Sequence, residues 1–131
     1  MSTPETFAPL FRLRMERSFW REQAYALALD DSHNVLAMFL VGQGSENQCP
    51  VPPSVTFKLV LGSRKCRACV NMVIAHNHPS GSLVPSDEDI AVTRRFIEAG
   101  RILGIQVLDH LVITRKGFTS IRRENRTLWE E

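Results

Sequence analysis

The sequence predicts an α/β fold, a mixed central β-sheet flanked by helices, and three features point there. Short apolar runs of strand length alternate with segments of helical periodicity. One long amphipathic stretch carries clear start and stop chemistry. Turn-rich segments separate the elements, and no internal repeat or low-complexity stretch breaks the chain. At 131 residues with 44% hydrophobic composition, one domain with a single unit of fold is expected.

The expected order is helix, hairpin, helix, strand, loop, helix, strand. Pro4 to Glu16 reads as a helix with Phe7, Leu10, Phe11 and Met15 on one side, so that residues 1–18 form a leading helical arm. Gln23 to Leu29 and Val35 to Val41 are short and apolar around the turn formers Asp30 to Asn34, which predicts a buried hairpin. Gly42 to Pro53 reads as a surface loop. Ser54 is placed to cap a helix from Val55 to Arg67, weakened by Gly62, and Val70 to Ala75 reads as a buried strand ending at His76.

The segment from His76 to Pro85 is dense in turn chemistry. Ser86 is then a good N-cap, Asp87 to Asp89 fill the first turn with acids, and Gly104 provides a C-terminal stop. Ile90, Ile97 and Leu103 mark the expected buried face of that helix, with Asp87, Arg94, Glu98 and Arg101 opposite. Ile105 to Ile113 reads as a second interior strand, interrupted by Asp109 and His110. As a polar pair in an apolar segment these two are expected to be buried and hydrogen-bonded, with support of a metal ligand as one use. Residues 121–131 read as a tail.

Composition narrows the function classes. The longest apolar stretches fall well short of the roughly 20 residues a membrane span needs, and Met1 to Leu10 lacks a basic start followed by an apolar run. A cytoplasmic protein without a targeting segment is expected. A net charge of +2 gives no support for nucleic acid as a partner. Arg115, Lys116, Arg122, Arg123 and Arg126 do cluster towards the C-terminus, and a solvated basic edge is the plainer reading. Three cysteines, an odd number, argue against a disulfide framework. Cys66 and Cys69 form a lone C-x-x-C; Cys49 alone cannot complete a four-cysteine zinc site, and a redox pair would open a helix after a strand. Both are read as structural.

The chemistry converges on His76-Asn77-His78-Pro79-Ser80-Gly81, followed by Pro85-Ser86-Asp87-Glu88-Asp89. Histidines at i and i+2 on a strand end point to the same side, so their imidazoles can meet on one ion. Asp89, in the first turn of the next helix, is the candidate third ligand, carried back towards the strand by a proline- and glycine-shaped loop. Two histidines and one carboxylate leave a tetrahedral zinc one position for water, as catalytic sites do. A general base is still required. Glu22, at the start of the first strand, is the best-placed carboxylate, although spacing alone does not select it from the other glutamates. The plainer readings are a surface or core histidine pair and a capping box between Ser86 and Asp89.

These residues, with the run Pro85 to Thr114, closely resemble the RadC-like branch of the JAMM (MPN+) metalloprotease superfamily. That superfamily's pattern is a distant glutamate, then H-x-H-x7-S-x2-D, which His76, His78, Ser86 and Asp89 match without a gap. The resemblance spans roughly Glu22 to Ser120. It implies a JAB/MPN, cytidine-deaminase-like architecture and one zinc ion per chain held by His76, His78 and Asp89. It further implies Glu22 as proton carrier, Ser86 as oxyanion donor, and a peptide or isopeptide bond in a protein substrate as the target. The association of the RadC name with DNA repair assigns no activity. RadC-like chains usually carry a proline-arginine pair at the start of the helix before the H-x-H strand; here that neighbourhood reads Cys49-Pro50-Val51-Pro52-Pro53-Ser54. The helix-hairpin-helix region common in full-length relatives has no counterpart in these residues, so DNA binding through it is not expected.

Other classes fit less well. The tripeptide His76-Asn77-His78 spells HNH, but in that nuclease class the letters stand for dispersed residues. A zinc deaminase needs H-x-E followed by P-C-x-x-C, and the second residue after His76 is His78. The competing reading from a different class is a non-catalytic protein-binding module of the same fold. A solvent-open metal position with Glu22 in reach separates the two.

Overall fold

The computed structural model describes residues 2–16, 19–44 and 51–130. Cys49 and Pro50 lie outside them. The elements are α1 (Pro4–Met15), β1 (Gln23–Leu29), β2 (Val35–Gln43), α2 (Pro53–Gly62), β3 (Asn71–Asn77), α3 (Asp87–Leu103), β4 (Gln106–Ile113), β5 (Phe118–Ser120), and the short helices α4 (Ile121–Glu124) and α5 (Thr127–Glu130). The strands form one mixed sheet in the order β2-β1-β3-β4-β5. β3 and β4 are parallel and joined through α3, while the other pairs are antiparallel.

Period-2 alternation sends the strands' side chains into two cores. On one face Ala24, Ala26, Ala28, Met72, Ile74 and Val112 pack with Phe57, Val60, Val92, Phe96 and Ile97 of α2 and α3. On the other, Tyr25, Leu27, Leu29, Val73, Ala75, Leu111 and Ile113 pack with Phe7, Phe11 and Met15 of α1. β1 and β3 are buried along their whole length, which is why both read as continuous apolar runs. The small alanines of β1 leave room for helices on their face. α3 comes close to β4 at Gly100, where an added Cβ would stand 2.2 Å from the Ile105 carbonyl oxygen.

Several expectations need correction. Leu10 is 38% exposed and Leu103 43% exposed, so neither belongs to the buried face of its helix; the buried stripes are Phe7, Ala8, Phe11, Met15 and Val92, Thr93, Phe96, Ile97, Gly100. The hairpin is buried throughout only in β1, because β2 is the edge strand: Val41 enters the core, but Val35 and Leu40 are exposed. β2 also runs two residues further than expected, to Gln43. Ser54 is inside α2 rather than at its cap: Pro53 takes the first helical position, which suits its fixed φ and missing N–H. That helix ends at Gly62, and Arg64–Cys66 form a separate 3₁₀ turn capped by Ser63.

The caps of α3 are as expected, with Ser86 at the N-cap and Gly104 left-handed at φ 74°. α1 lies against β3 and β4, and Ile121 of α4 and Leu128 of α5 enter the core. The basic cluster is partly spent inside the molecule. Arg123 pairs with Glu5 through both terminal guanidinium nitrogens, Arg122 donates to the Leu108 carbonyl and lies over Trp129, and Arg115 lies over Phe19. Among the described residues no helix is long and apolar enough to cross a membrane.

Candidate metal centre

β3 delivers two histidines to one place. His76 lies on the same face as Met72 and Ile74, covered by α3, and His78 follows two residues later, just past the strand end. Their Nε2 atoms are 3.0 Å apart. The first turn of α3 brings the Asp89 carboxylate alongside, with Oδ1 3.1 Å from His76 Nε2 and Oδ2 3.3 Å from His78 Nε2. Ligand atoms about 2.0–2.1 Å from a tetrahedral ion stand roughly 3.3 Å apart, so these separations suit a shared metal ion. Among the described residues, His76, His78 and Asp89 form a group that could hold one.

The orientation of each ligand has a local cause. The His78 ring faces the Ser82 carbonyl with Nδ1 at 3.0 Å. A carbonyl only accepts, so Nδ1 carries the hydrogen, and Nε2 is the nitrogen left for Asp89 or for a metal ion. Asp89 is held by the capping box: its amide donates to Ser86 Oγ at 3.1 Å, and its Oδ2 accepts from the Ser86 amide at 2.8 Å. Cap and candidate ligand are therefore the same residue. Ser86 itself is exposed and keeps its hydroxyl hydrogen available.

Charge is shared across the group. Hydrogen bonding to Asp89 raises the His78 pKa above its ordinary value against the opposing effect of burial. Burial pushes the Asp89 carboxyl up, but the two histidines outweigh that and hold it well below the usual carboxylate range. Carboxylate and imidazoles together favour a cation between them. The side chain of His76 is 4% exposed, whereas those of His78 and Asp89 are 13% and 15% exposed, so one side of the group meets solvent.

Glu22 immediately precedes β1. Ala24 pairs with His76 in antiparallel register, and continuing that register past its last pair puts Glu22 level with His78. Its carboxyl is half-buried and feels the charges of His76, His78 and Asp89; burial is the main cause that lifts its pKa above the ordinary value. Asn77, fully buried between the two histidines, fixes the chain around it. Its Oδ1 accepts from the Gln23 amide at 2.6 Å, and its Nδ2 donates to the carbonyls of Phe19 and Arg21. A polar residue in a buried strand is the only clue to it in the sequence.

Asp109 and His110 are both buried and hydrogen-bonded, as expected. They face opposite ways. Asp109 accepts from Ser120 Oγ, the Arg122 amide and the His110 amide, and burial raises its pKa. His110 lies on the metal-centre side, with Nε2 2.8 Å from His76 Nδ1 and Nδ1 2.6 Å from Thr93 Oγ1. Burial drives its pKa well below the ordinary histidine value. Rather than interrupting β4, the pair sits in it just after a register irregularity: Met72 pairs with Val107 and Val73 with Asp109, leaving Leu108 as the extra residue. Cys66 and Cys69 are free thiols outside this group.

A RadC-like JAB domain family model matches residues 1–127. The chain is 42% identical over 122 residues to a UPF0758 protein of Desulforudis audaxviator, covering 93% of this chain and 51% of that protein. It is 44% identical over 105 residues to a UPF0758 protein of Moorella thermoacetica, covering 80% and 44%, and 36% identical over 125 residues to one of Syntrophomonas wolfei, covering 93% and 52%. The fold and site define a JAB-type domain with a candidate metal centre. The chain belongs to the RadC-like JAB domain family, and it spans about half the length of the curated relatives it matches.

Proposed function

We propose that this domain is a zinc-dependent hydrolase of the JAMM type, cleaving peptide or isopeptide bonds in a protein substrate. The observation that carries the reading is the convergence of His76 Nε2, His78 Nε2 and the Asp89 carboxylate within 3.0–3.3 Å, beside a carboxylate of raised pKa. Two imidazoles and one carboxylate are a donor set suited to zinc, and three protein ligands leave a coordination position for water. A zinc ion held there would supply Lewis acidity towards a carbonyl and lower the pKa of water to about 7.

The remaining work falls to this chain's side chains. Glu22 accepts the proton of the attacking water and passes it to the leaving nitrogen, and its lifted pKa brings it nearer the working pH for both transfers. It is not a fourth ligand, since a further carboxylate would close the position that water needs. Ser86, with Oγ already accepting from Asp89, donates its free hydrogen to the developing oxyanion. The partial exposure of His78 and Asp89 favours catalysis over a purely binding role, because substrate can reach the centre.

The test is zinc analysis of chelator-free protein together with a peptide and isopeptide cleavage screen of wild type and Glu22→Gln. One zinc per chain, and cleavage that Glu22→Gln abolishes while keeping the metal, supports the proposal. Zinc binding with no cleavage of any substrate by the wild type favours the protein-binding module instead.

A further inference from the structure

We infer that Thr93 and His110 are positioning residues that set the tautomer of His76, so that its metal-facing nitrogen is an acceptor; this rests on the metal reading of the His76, His78 and Asp89 group. The chain of hydrogen bonds has only one consistent direction. The Asp89 carbonyl can only accept, and Thr93 Oγ1 lies 2.7 Å from it, so the single hydroxyl hydrogen of Thr93 is committed there. Thr93 Oγ1 is also 2.6 Å from His110 Nδ1 and has only lone pairs left for that contact. His110 Nδ1 therefore carries a hydrogen.

His110 is 1% exposed and neither of its ring partners is a carboxylate, so a charged ring there would be buried without compensation. A neutral ring protonated at Nδ1 presents a lone pair at Nε2. That lone pair faces His76 Nδ1 at 2.8 Å, which makes His76 the donor there, so that a neutral His76 ring keeps its Nε2 lone pair for a metal ion shared with Asp89 and His78. The relay begins and ends on ligands: it starts at the backbone of Asp89 and finishes on the ring of His76.

Two features of the fold build it. Thr93 is one turn after Asp89 on α3, so both face the sheet together. The extra residue Leu108 in β4 reverses the alternation between Val107 and His110. Val107 and Val112 belong to the core under α3, and without the irregularity His110 would point to the α1 side.

The experiment measures imidazole nitrogen-15 NMR of the metal-free protein and zinc affinity of wild type, Thr93→Val and Thr93→Ser. The expected spectrum has His76 protonated at Nδ1, and His110 protonated at Nδ1 with an unprotonated Nε2. Thr93→Val keeps the shape but frees His110 to protonate Nε2, which would turn His76 round; its zinc dissociation constant should rise roughly 10–100-fold, as for loss of other partners behind a metal ligand. Thr93→Ser should restore both affinity and tautomer to near wild type. A wild-type His110 protonated at Nε2, or Thr93→Val binding zinc as tightly as wild type, overturns the inference while leaving the metal reading standing. If the wild type does not bind zinc the metal reading fails, and the spectrum of the metal-free protein alone decides the relay.

Discussion

The two ends of β3 carry two short motifs of metal-binding type, and only one of them is assembled. Before the strand, Cys66 and Cys69 have a common thiolate-ligand spacing, yet Cys66 is buried in the core and Cys69 donates its thiol to the Asn71 carbonyl. Burial raises the Cys69 pKa, which keeps it a thiol rather than a thiolate. Beyond the strand, His76 and His78 meet a carboxylate, and each ring has a fixed polar partner behind it. Spacing brings donors near each other in both places. What distinguishes a site is a third ligand from another element and a hydrogen bond behind each ring that aims its lone pair.

The sharpest way to break this contrast is ligand removal. Asp89→Ala should reduce zinc from about one per chain to near none, a loss of affinity larger than the roughly 10–100-fold expected for partners behind a ligand. The double variant Cys66→Ser, Cys69→Ser should keep full zinc content in the same metal analysis. Next in size is catalysis: Glu22→Gln should retain zinc and lose about 10²–10⁴-fold in turnover. Ser86→Ala should lose less, about 10²–10³-fold, with roughly 1 kcal/mol of stability as well because the α3 cap goes with it. Steady-state kinetics and a denaturant titration separate the two effects.

The thiol end predicts a chemical difference. In a Cys49→Ser background, alkylation of Cys69 at neutral pH should be slower than that of a short cysteine peptide, since burial raises its pKa. Alkylation as fast as the peptide's would contradict a partly buried, structural thiol.

The smallest expected effect is on acid stability of the metal-free protein. His110 is held neutral in the fold, with a pKa below the unfolded value of about 6.5, so the unfolded state binds more protons as pH falls. Its contribution is present above about pH 6.5 and lost progressively below it. Denaturant titrations across that range should fall more steeply for wild type than for His110→Phe.

Local chemistry was legible in the sequence and tertiary context was not. Ser86 and Gly104 bound α3 because capping depends on a few adjacent residues, and the H-x-H strand end follows from period 2 alone. Leu10 and Leu103 read as members of buried faces because an apolar residue near a stripe looks the same whether or not an element covers it. The exposed edge of β2 depends on sheet order, which pairing of distant strands decides. Ser54 falls inside α2 because Pro53 takes the first helical position after Pro52 at the N-cap, a start that the proline run itself announces. β5, α4 and α5 are too short for periodicity to show, and residues 121–131 read only as a tail. At the site, the ligands have a spacing signature, whereas Thr93 and Asn77 have none; their clue is a lone polar side chain on an otherwise apolar stripe or strand.

X-ray absorption spectroscopy of the zinc-loaded protein tests the central claim most directly, because it reads the ligands of the metal rather than its effects. The geometry of His76, His78 and Asp89 predicts two imidazole nitrogens and oxygen ligands at about 2.0–2.2 Å, with no sulfur neighbour. A sulfur shell at about 2.3 Å would place the metal on the cysteines and contradict the account.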